Sequence, residues 1–290
     1  MRLLGLVALV MLAFAANSVL TRAGVAHLDV ASFGAIRLWS GALMLLLLCL
    51  RTRRRLRFLS WARLLSVPGL LLYIVGFTEA YLNMDAGLGA LLLFGTVQVT
   101  MLVGALILRE PMPPLRLLGG LVAFGGLVYL VWPVSLLVRF AGGEFAMIVA
   151  GVGWGLYSLA GRGSRDALAD TAVNFLLTAG IYVLVFLVLD GGIRPEALEV
   201  NATGLLLALA SGAITSGLGY ALWYSVLPRL PAAVAAVAQL TVPPLAMAGG
   251  MVFLGEALTL KFLLASLVIL GGVALSVLGP RYLASASSGS

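Results

Sequence analysis

Apolar positions gather into ten long blocks, at roughly 3–21, 30–50, 63–81, 87–108, 115–132, 143–161, 171–189, 202–224, 232–254 and 261–279. Each comes close to the ~20 residues with which a helix crosses the hydrocarbon core of a bilayer. Several blocks carry internal glycine or proline, which spanning helices tolerate when neighbouring helices resatisfy the backbone. Glycine pairs such as Gly119-Gly120, Gly125-Gly126, Gly249-Gly250 and Gly271-Gly272 suit close helix–helix approach. Residues 280–290 form a tail; its small, polar end, Ala284 to Ser290, is read as frayed or appended and set outside the fold.

Composition turns the pattern into a class. Of the 290 residues 62% are hydrophobic and only 10% charged, and the mean hydropathy is +1.13. Soluble domains carry about 25% charged residues, so this chain cannot wet a soluble surface. The expectation is an all-α integral membrane protein of ten transmembrane helices. Soluble enzymes, nucleic-acid binders and disordered proteins are set aside. One cysteine, Cys49, allows no intrachain disulfide, and with the single histidine, His27, it provides no Cys/His metal site.

The net charge of +7 is explained by topology. The most basic linker, Arg51-Thr-Arg53-Arg54-Arg55-Leu-Arg57 with Arg63 beyond it, belongs in the cytoplasm by the positive-inside rule. With an even number of spans, both termini fall there too, together with Arg2, Arg109, Arg116, Arg162, Arg165, Arg229 and Arg281. Arg22, Arg139, Arg194 and Lys261 lie outside, among the acids Asp29, Asp85, Glu144, Asp190, Glu196, Glu199 and Glu256. Arg2 and Ala13-Phe14-Ala15 give the first block the look of a cleavable leader, but the repeat described next argues that it is kept.

The two halves resemble each other. Phe14-Ala-Ala-Asn17-Ser18-Val-Leu-Thr-Arg22 aligns without a gap on Trp154-Gly-Leu-Tyr157-Ser158-Leu-Ala-Gly-Arg162, at an offset of 140. At an offset of 146, Arg109-Glu110 matches Gly255-Glu256 and Gly125-Gly126 matches Gly271-Gly272; Thr96-Val97-Gln98 matches Thr241-Val242-Pro243 nearby. Five spans per half is an odd number, so the second copy lies upside down. The expected repeats are residues 1–132 and 143–279, around a central cavity. Two pseudo-equivalent halves can exchange conformations and open one site alternately to either face, which points to transport.

These strings resemble the drug/metabolite transporter superfamily, in particular its EamA-type ten-helix exporters. The likeness rests on Phe14-Ala-Ala-Asn17-Ser18, Arg37, Leu108-Arg109-Glu110-Pro111, Trp154-Gly155-Leu-Tyr157-Ser158 and Phe253-Leu254-Gly255-Glu256-Ala257-Leu258, and covers residues 1–280. Arg109 departs from the family pattern, where glycine is usual. Within the family the sequence looks most like the aromatic-amino-acid exporter branch, also linked to methyl viologen export. The resemblance implies outward movement of amino acids and other small organic metabolites across the bacterial inner membrane.

Candidate site residues each carry two readings. Arg37 sits about seven residues, roughly 10 Å, into the second span. It is either a fork for a substrate carboxylate, or a clamp on helix-end carbonyls or a snorkelling side chain near Asp29. Glu79 is either a partner for a substrate ammonium or a proton, or a carboxylate wetted at the outer interface. Trp154 and Tyr157 share a helix face, as do Phe14 and Asn17 in the first copy, and Tyr220, Trp223 and Tyr224 in the eighth span. With Trp39 and Tyr73 they form either an aromatic cavity wall or an interfacial belt; for Trp223 and Tyr224 the belt is expected. Asn17, Gln98 and Gln239 hydrogen-bond either a zwitterion or neighbouring helices. Pro243-Pro244 is expected to break the ninth helix near Gln239, and Glu110 and Glu256 to mark helix ends, paired with Arg116 and Lys261.

Enzyme motifs are absent: no His-Glu-x-x-His, no Gly-x-Ser-x-Gly, no Gly-x-x-x-x-Gly-Lys-[Ser/Thr] and no paired-Asp diphosphate motif. The expectation is therefore an alternating-access exporter of small amphipathic metabolites, aromatic amino acids first, without enzyme activity, cofactor or metal. Its partners are the substrate and membrane lipid, not nucleic acid; the oligomeric state stays open, a monomer being admissible. Other substrates (a polar amino acid, a nucleotide precursor, a cationic drug) or a membrane enzyme are the alternatives. A facilitator is favoured over a strict proton antiporter, which would rest on Glu79.

Overall fold

The computed structural model describes residues 2–109, 113–131, 142–162, 164–189, 201–226, 229–230 and 238–287. Glu110, Pro111, Arg139, Asp190, Arg194, Glu196 and Glu199, all named above, lie outside these residues. Among the described residues the long helices follow in order: α1 (Arg2–Gly24), α2 (Val30–Arg51), α3 (Arg63–Ala80), α4 (Ala86–Ile107), α5 (Pro114–Val131), α6 (Gly143–Gly161), α7 (Ala167–Leu189), α8 (Ala202–Val226), α9 (Val242–Leu254) and α10 (Leu260–Ser287). Eight are long and apolar enough to cross a membrane; α5 and α9 are shorter apolar helices. Large apolar side chains such as Leu47, Leu64, Val188, Phe253 and Leu267 point outward, as they must toward hydrocarbon.

The helix ends follow from local chemistry. Asp29 Oδ1 accepts from the Ser32 N–H at the start of α2, and Asn201 Oδ1 from the Thr203 N–H at the start of α8. Leu240 and Thr241 form a turn before Pro243-Pro244, so α9 starts only at Val242. The expected break beside Gln239 is present, because proline lacks the N–H that would continue the helix behind it. At its other end α9 stops at Gly255, in the left-handed region at φ 69°. Two boundaries differ from expectation: α7 begins at Ala167, and α10 runs into the tail as far as Ser287.

Packing shows the duplication. α3 packs on α6 as α8 packs on α1; α4 on α6 as α9 on α1; α2 on α8 as α7 on α3. The pairs α2–α7, α4–α9 and α5–α10 join each helix to its own counterpart. This is pseudo-two-fold packing of two five-helix copies. Two contacts are set by glycine. A Cβ on Gly153 of α6 would lie 2.5 Å from the Gly69 carbonyl oxygen of α3, and one on Gly69 2.8 Å from the Gly153 oxygen. Gly119 of α5 and Gly272 of α10 repeat this reciprocal relation.

One element is irregular. The middle of α8, Ala210–Leu218, is π-helical. The wider turn brings Ser211, Thr215 and Ser216 into the interior, all buried. Such π segments recur at functional sites because they re-aim side chains within an otherwise continuous helix.

Candidate substrate cavity

The two repeats enclose a cavity of about 1300 Å³. Its mouth is lined by Arg53, Arg54, Arg55 and Arg57 of the α2–α3 linker and by Arg116, Arg162 and Arg165. From there it reaches inward between α1, α3, α4, α6, α7 and α8.

Helical spacing builds its aromatic wall. Tyr73 and Phe77 stand four apart on α3, Trp154 and Tyr157 three apart on α6, and Tyr220 and Trp223 three apart on α8, so each pair shares a face. Trp154 is the hub: its ring centroid lies 4.9 Å from Tyr73, 5.3 Å from Tyr157 and 5.1 Å from Tyr220. Phe14 extends the wall, 5.7 Å from Tyr220 and 6.1 Å from Trp223. Polar groups punctuate it. Asn17 Nδ2 donates to the Tyr73 hydroxyl at 3.3 Å, while Asn17 Oδ1 accepts from Ser211 and Thr215 at 2.7 and 2.9 Å. The Tyr157 hydroxyl donates to Thr171 Oγ1 at 3.2 Å. Gln98 and Gln239 line the same space.

Behind this wall lies Arg37, fully buried. Its Nη2 donates to the Tyr73 hydroxyl at 2.8 Å and its Nε to Ser216 Oγ at 3.4 Å. Its guanidinium carbon stands 5.2 Å from the Tyr73 ring centroid and 4.8 Å from that of Phe77, within cation–π range. Arg37 neither clamps helix-end carbonyls nor snorkels toward Asp29; it donates to hydroxyls on α3 and α8.

Salt bridges tie the mouth. Arg63 donates to Asp170 Oδ1 at 3.0 Å and to Asn174 Oδ1 at 2.7 Å, and holds the linker by donating to the carbonyls of Phe58 and Arg57. Arg54 pairs with Asp166 at 3.3 Å. The opposite end is closed. There Glu256 Oε1 accepts from the Ala86 N–H at 2.7 Å, and Arg22 donates to the carbonyls of Tyr81 and Leu82 at 2.8 and 3.0 Å. Burial pushes the Glu256 carboxyl above its ordinary value; the Ala86 N–H pulls it back, Asp85 adds to the rise, and the Gly87 N–H and Arg22 oppose it.

Of the ten candidate residues, Asn17, Tyr73, Gln98, Trp154, Tyr157, Tyr220 and Gln239 line the cavity, and Arg37 backs it. Trp39 and Glu79 do not belong to it. Trp39 is 40% exposed on the outer surface, and Glu79 is exposed. Each stands two residues past an inward side chain, Arg37 and Phe77, and so about 200° around its helix. A second correction concerns Trp223: it is buried and lines the cavity with Tyr224 instead of forming an interfacial belt. Glu256 makes its contact with a backbone N–H of the other repeat. The sequence reading passed over Ser211, Thr215 and Ser216; two hydroxyls four apart in an apolar span were the available signal. Arg63, a topology marker in the sequence, is in the structure a tie between the linker and α7.

Known proteins match this architecture. The EamA-like transporter family model aligns with residues 1–132 and again with 141–278, so both five-helix copies are recognised. The chain belongs to the EamA-like transporter family. It is thus a multi-pass membrane transporter with a duplicated domain, of a family that is not one of enzymes. An uncharacterized protein of Pseudomonas aeruginosa is 45% identical over 282 residues, covering 97% of this chain and 96% of that one. The uncharacterized transporter YoaV of Bacillus subtilis is 23% identical over 255 residues (83% and 85%). A probable amino-acid metabolite efflux pump of Salmonella typhimurium is 26% identical over 208 residues (69% and 70%). One solved crystal structure, 19% identical, superposes with a TM-score of 0.65 over 96% of this chain and 97% of its own, a likeness of fold.

Proposed function

We propose that this EamA-family protein is an alternating-access exporter of small amphipathic metabolites, aromatic amino acids first, in the bacterial inner membrane. The observation that carries the reading is the cavity itself: open at the arginine-rich end, closed at the other, and walled by rings from α1, α3, α6 and α8. Flat apolar side chains stack on such rings, and amides at Gln98 and Gln239 can orient a polar head. The similarity to a probable amino-acid metabolite efflux pump supports an amino-acid substrate.

By the positive-inside rule the open end and both termini face the cytoplasm, which makes the conformer inward-facing and ready to load a substrate for export. Transport is facilitative: among the described residues the acidic groups lining the cavity, Asp166 and Asp170, are both engaged with arginines at its mouth. The test is flux of labelled phenylalanine, tryptophan and threonine in proteoliposomes, with and without a pH gradient. Saturable equilibration of the aromatics, indifferent to the gradient, is the expected result. Gradient-driven accumulation overturns the facilitative reading, and no movement by folded protein overturns the transport reading for these substrates.

A further inference from the structure

The charge balance inside the cavity points to one class of ligand. Arg37 stays protonated at any accessible pH, and its burial is complete. A buried charge ordinarily requires a counter-ion. Arg37 forms no ion pair among the described residues, and the acidic side chains lining the cavity there, Asp166 and Asp170, sit at the mouth, held by Arg54 and Arg63. Arg37 instead makes hydrogen bonds to two hydroxyls, and its Nη1 is buried with no hydrogen-bond partner among the described residues. Topology accounts for arginines around the mouth, but not for one deep in a span.

Tyr73 carries this charge to the cavity surface. Its hydroxyl oxygen accepts from Arg37 and from Asn17 while Tyr73 itself lines the cavity, so the group presented inside is a phenol polarised by a guanidinium. Aromatic faces could in principle hold an ammonium. At Tyr73 and Phe77, however, the cation over the rings is already Arg37. An incoming ammonium meets a like charge and no carboxylate; an incoming carboxylate meets donors and supplies the missing counter-charge.

Resting on the exporter reading of this same cavity, we propose that its substrates are aromatic organic anions. The ligand carboxylate is recognised at the Tyr73 end of the wall, and an ammonium group on the ligand is dispensable. Arg37 is a positioning residue, acting through Tyr73.

The test uses three ligands that share a phenyl ring and differ in charge: 3-phenylpropionate, phenylalanine and phenethylamine. Their binding to the full chain in nanodiscs is read by quenching of tryptophan fluorescence, and their movement by proteoliposome flux. The expected order is phenylpropionate binding at least as tightly as phenylalanine, and at least tenfold more tightly than phenethylamine. Tyr73→Phe and Arg37→Gln each shrink the preference of phenylpropionate over phenethylamine by tenfold or more, while Arg37→Lys, which keeps the charge, retains most of it. A merely structural Arg37 would lower binding of all three ligands together and leave their ratio unchanged, which overturns the proposal. So does phenethylamine binding as well as phenylpropionate, binding confined to the zwitterion, or no binding at all. Should Arg37→Gln not fold, Tyr73→Phe carries the decision. Binding in the expected order without movement leaves the carboxylate recognition at Tyr73 standing and overturns the exporter reading; movement in another order overturns the recognition and leaves the exporter reading standing.

Discussion

Glu256 Oε1 takes its hydrogen bond from the Ala86 N–H, 2.7 Å away and 170 residues earlier in the chain. This joins the turn after α9 to the N-terminus of α4, the two helices that are counterparts in the repeats. A carboxylate at a helix N-terminus is favoured by the unsatisfied N–H groups and the helix dipole. The contact lies at the end where the cavity is shut, beside the carbonyls that hold Arg22. It ties the two halves together there; on the proposed alternating-access reading it is a latch that parts when the cavity opens on that side.

The latch has a pH dependence whose sign follows from Glu256. Its carboxyl is raised above the ordinary 4.5 in the folded, closed protein, chiefly by burial. Between that value and the raised one, the folded state holds a proton that the unfolded chain has released. Stability is therefore greatest on the acid side and falls as pH rises through the window. Glu256→Gln keeps an acceptor for Ala86 and removes the titration. The expected outcome is that the Tm of the native chain, minus that of Glu256→Gln, declines from about pH 4.5 upward and then levels off. A constant difference would show that the carboxyl does not titrate in the latch.

Truncating the hub of the wall tests the cavity. Trp154 touches Tyr73, Tyr157 and Tyr220, and an aromatic pair adds about 0.5–1.5 kcal/mol beyond the area it buries. Trp154→Ala is expected to weaken aromatic substrates by about tenfold, the equivalent of ~1.4 kcal/mol. Glu79→Gln and Trp39→Leu, both on the outer surface, leave the flux and its pH profile unchanged. Proteoliposome kinetics on the three variants separates the cases, and a pH profile altered by Glu79→Gln would bring that carboxylate back into the mechanism.

Much of this was legible in the sequence, for a physical reason. Hydrocarbon demands long apolar helices, so the ten spans stand out, and the gap-free alignment of the strings around Asn17 and Tyr157, with Ser18 and Arg22 matched by Ser158 and Arg162, places those residues at matching points of the two repeats. What the sequence hid is rotational phase. A spanning helix is apolar on its lipid face as well as on its packed face, so periodicity does not tell which side looks inward. Trp39 beside Arg37 and Glu79 beside Phe77 fell on the wrong side of that ambiguity. The π segment of α8 was hidden too, because its wider turn shifts the phase of Ser211, Thr215 and Ser216 without any proline to announce it.

Close approach of α3 and α6 predicts a sharp contrast between two glycines. A Cβ on Gly153 would meet the Gly69 carbonyl oxygen at 2.5 Å and the Tyr73 N at 2.7 Å, backbone atoms that cannot rotate away. Gly153→Ala must push the helices apart and carry Tyr73 with them. A cost of about 1–3 kcal/mol is expected from such overpacking, together with weakened substrate binding. On α7, Gly180 has nothing within 4 Å of its would-be Cβ, and Gly180→Ala should be neutral or gain up to about 1 kcal/mol from helix propensity. Thermal unfolding of both variants checks the pair; equal shifts would contradict the packing.

The last prediction comes from the repeat itself. Gly255 after α9 and Arg109 after α4 are 146 residues apart, and both adopt left-handed backbone, at φ 69° and 54°. Glycine reaches that region without penalty, whereas an L side chain places its Cβ against the following carbonyl, at about 1–2 kcal/mol. The fold therefore demands the same C-terminal turn in both copies, and the first copy makes it with an unsuited residue. Arg109 is exposed, so little packing is lost by replacing it. Arg109→Gly is expected to raise stability by about 1 kcal/mol, less the entropy that glycine returns to the unfolded chain. A higher Tm for Arg109→Gly, alongside a lower one for Gly255→Arg, would establish the turn as a shared requirement of the two repeats. A lower Tm for Arg109→Gly would mean that the arginine makes a compensating contact at that end of the molecule.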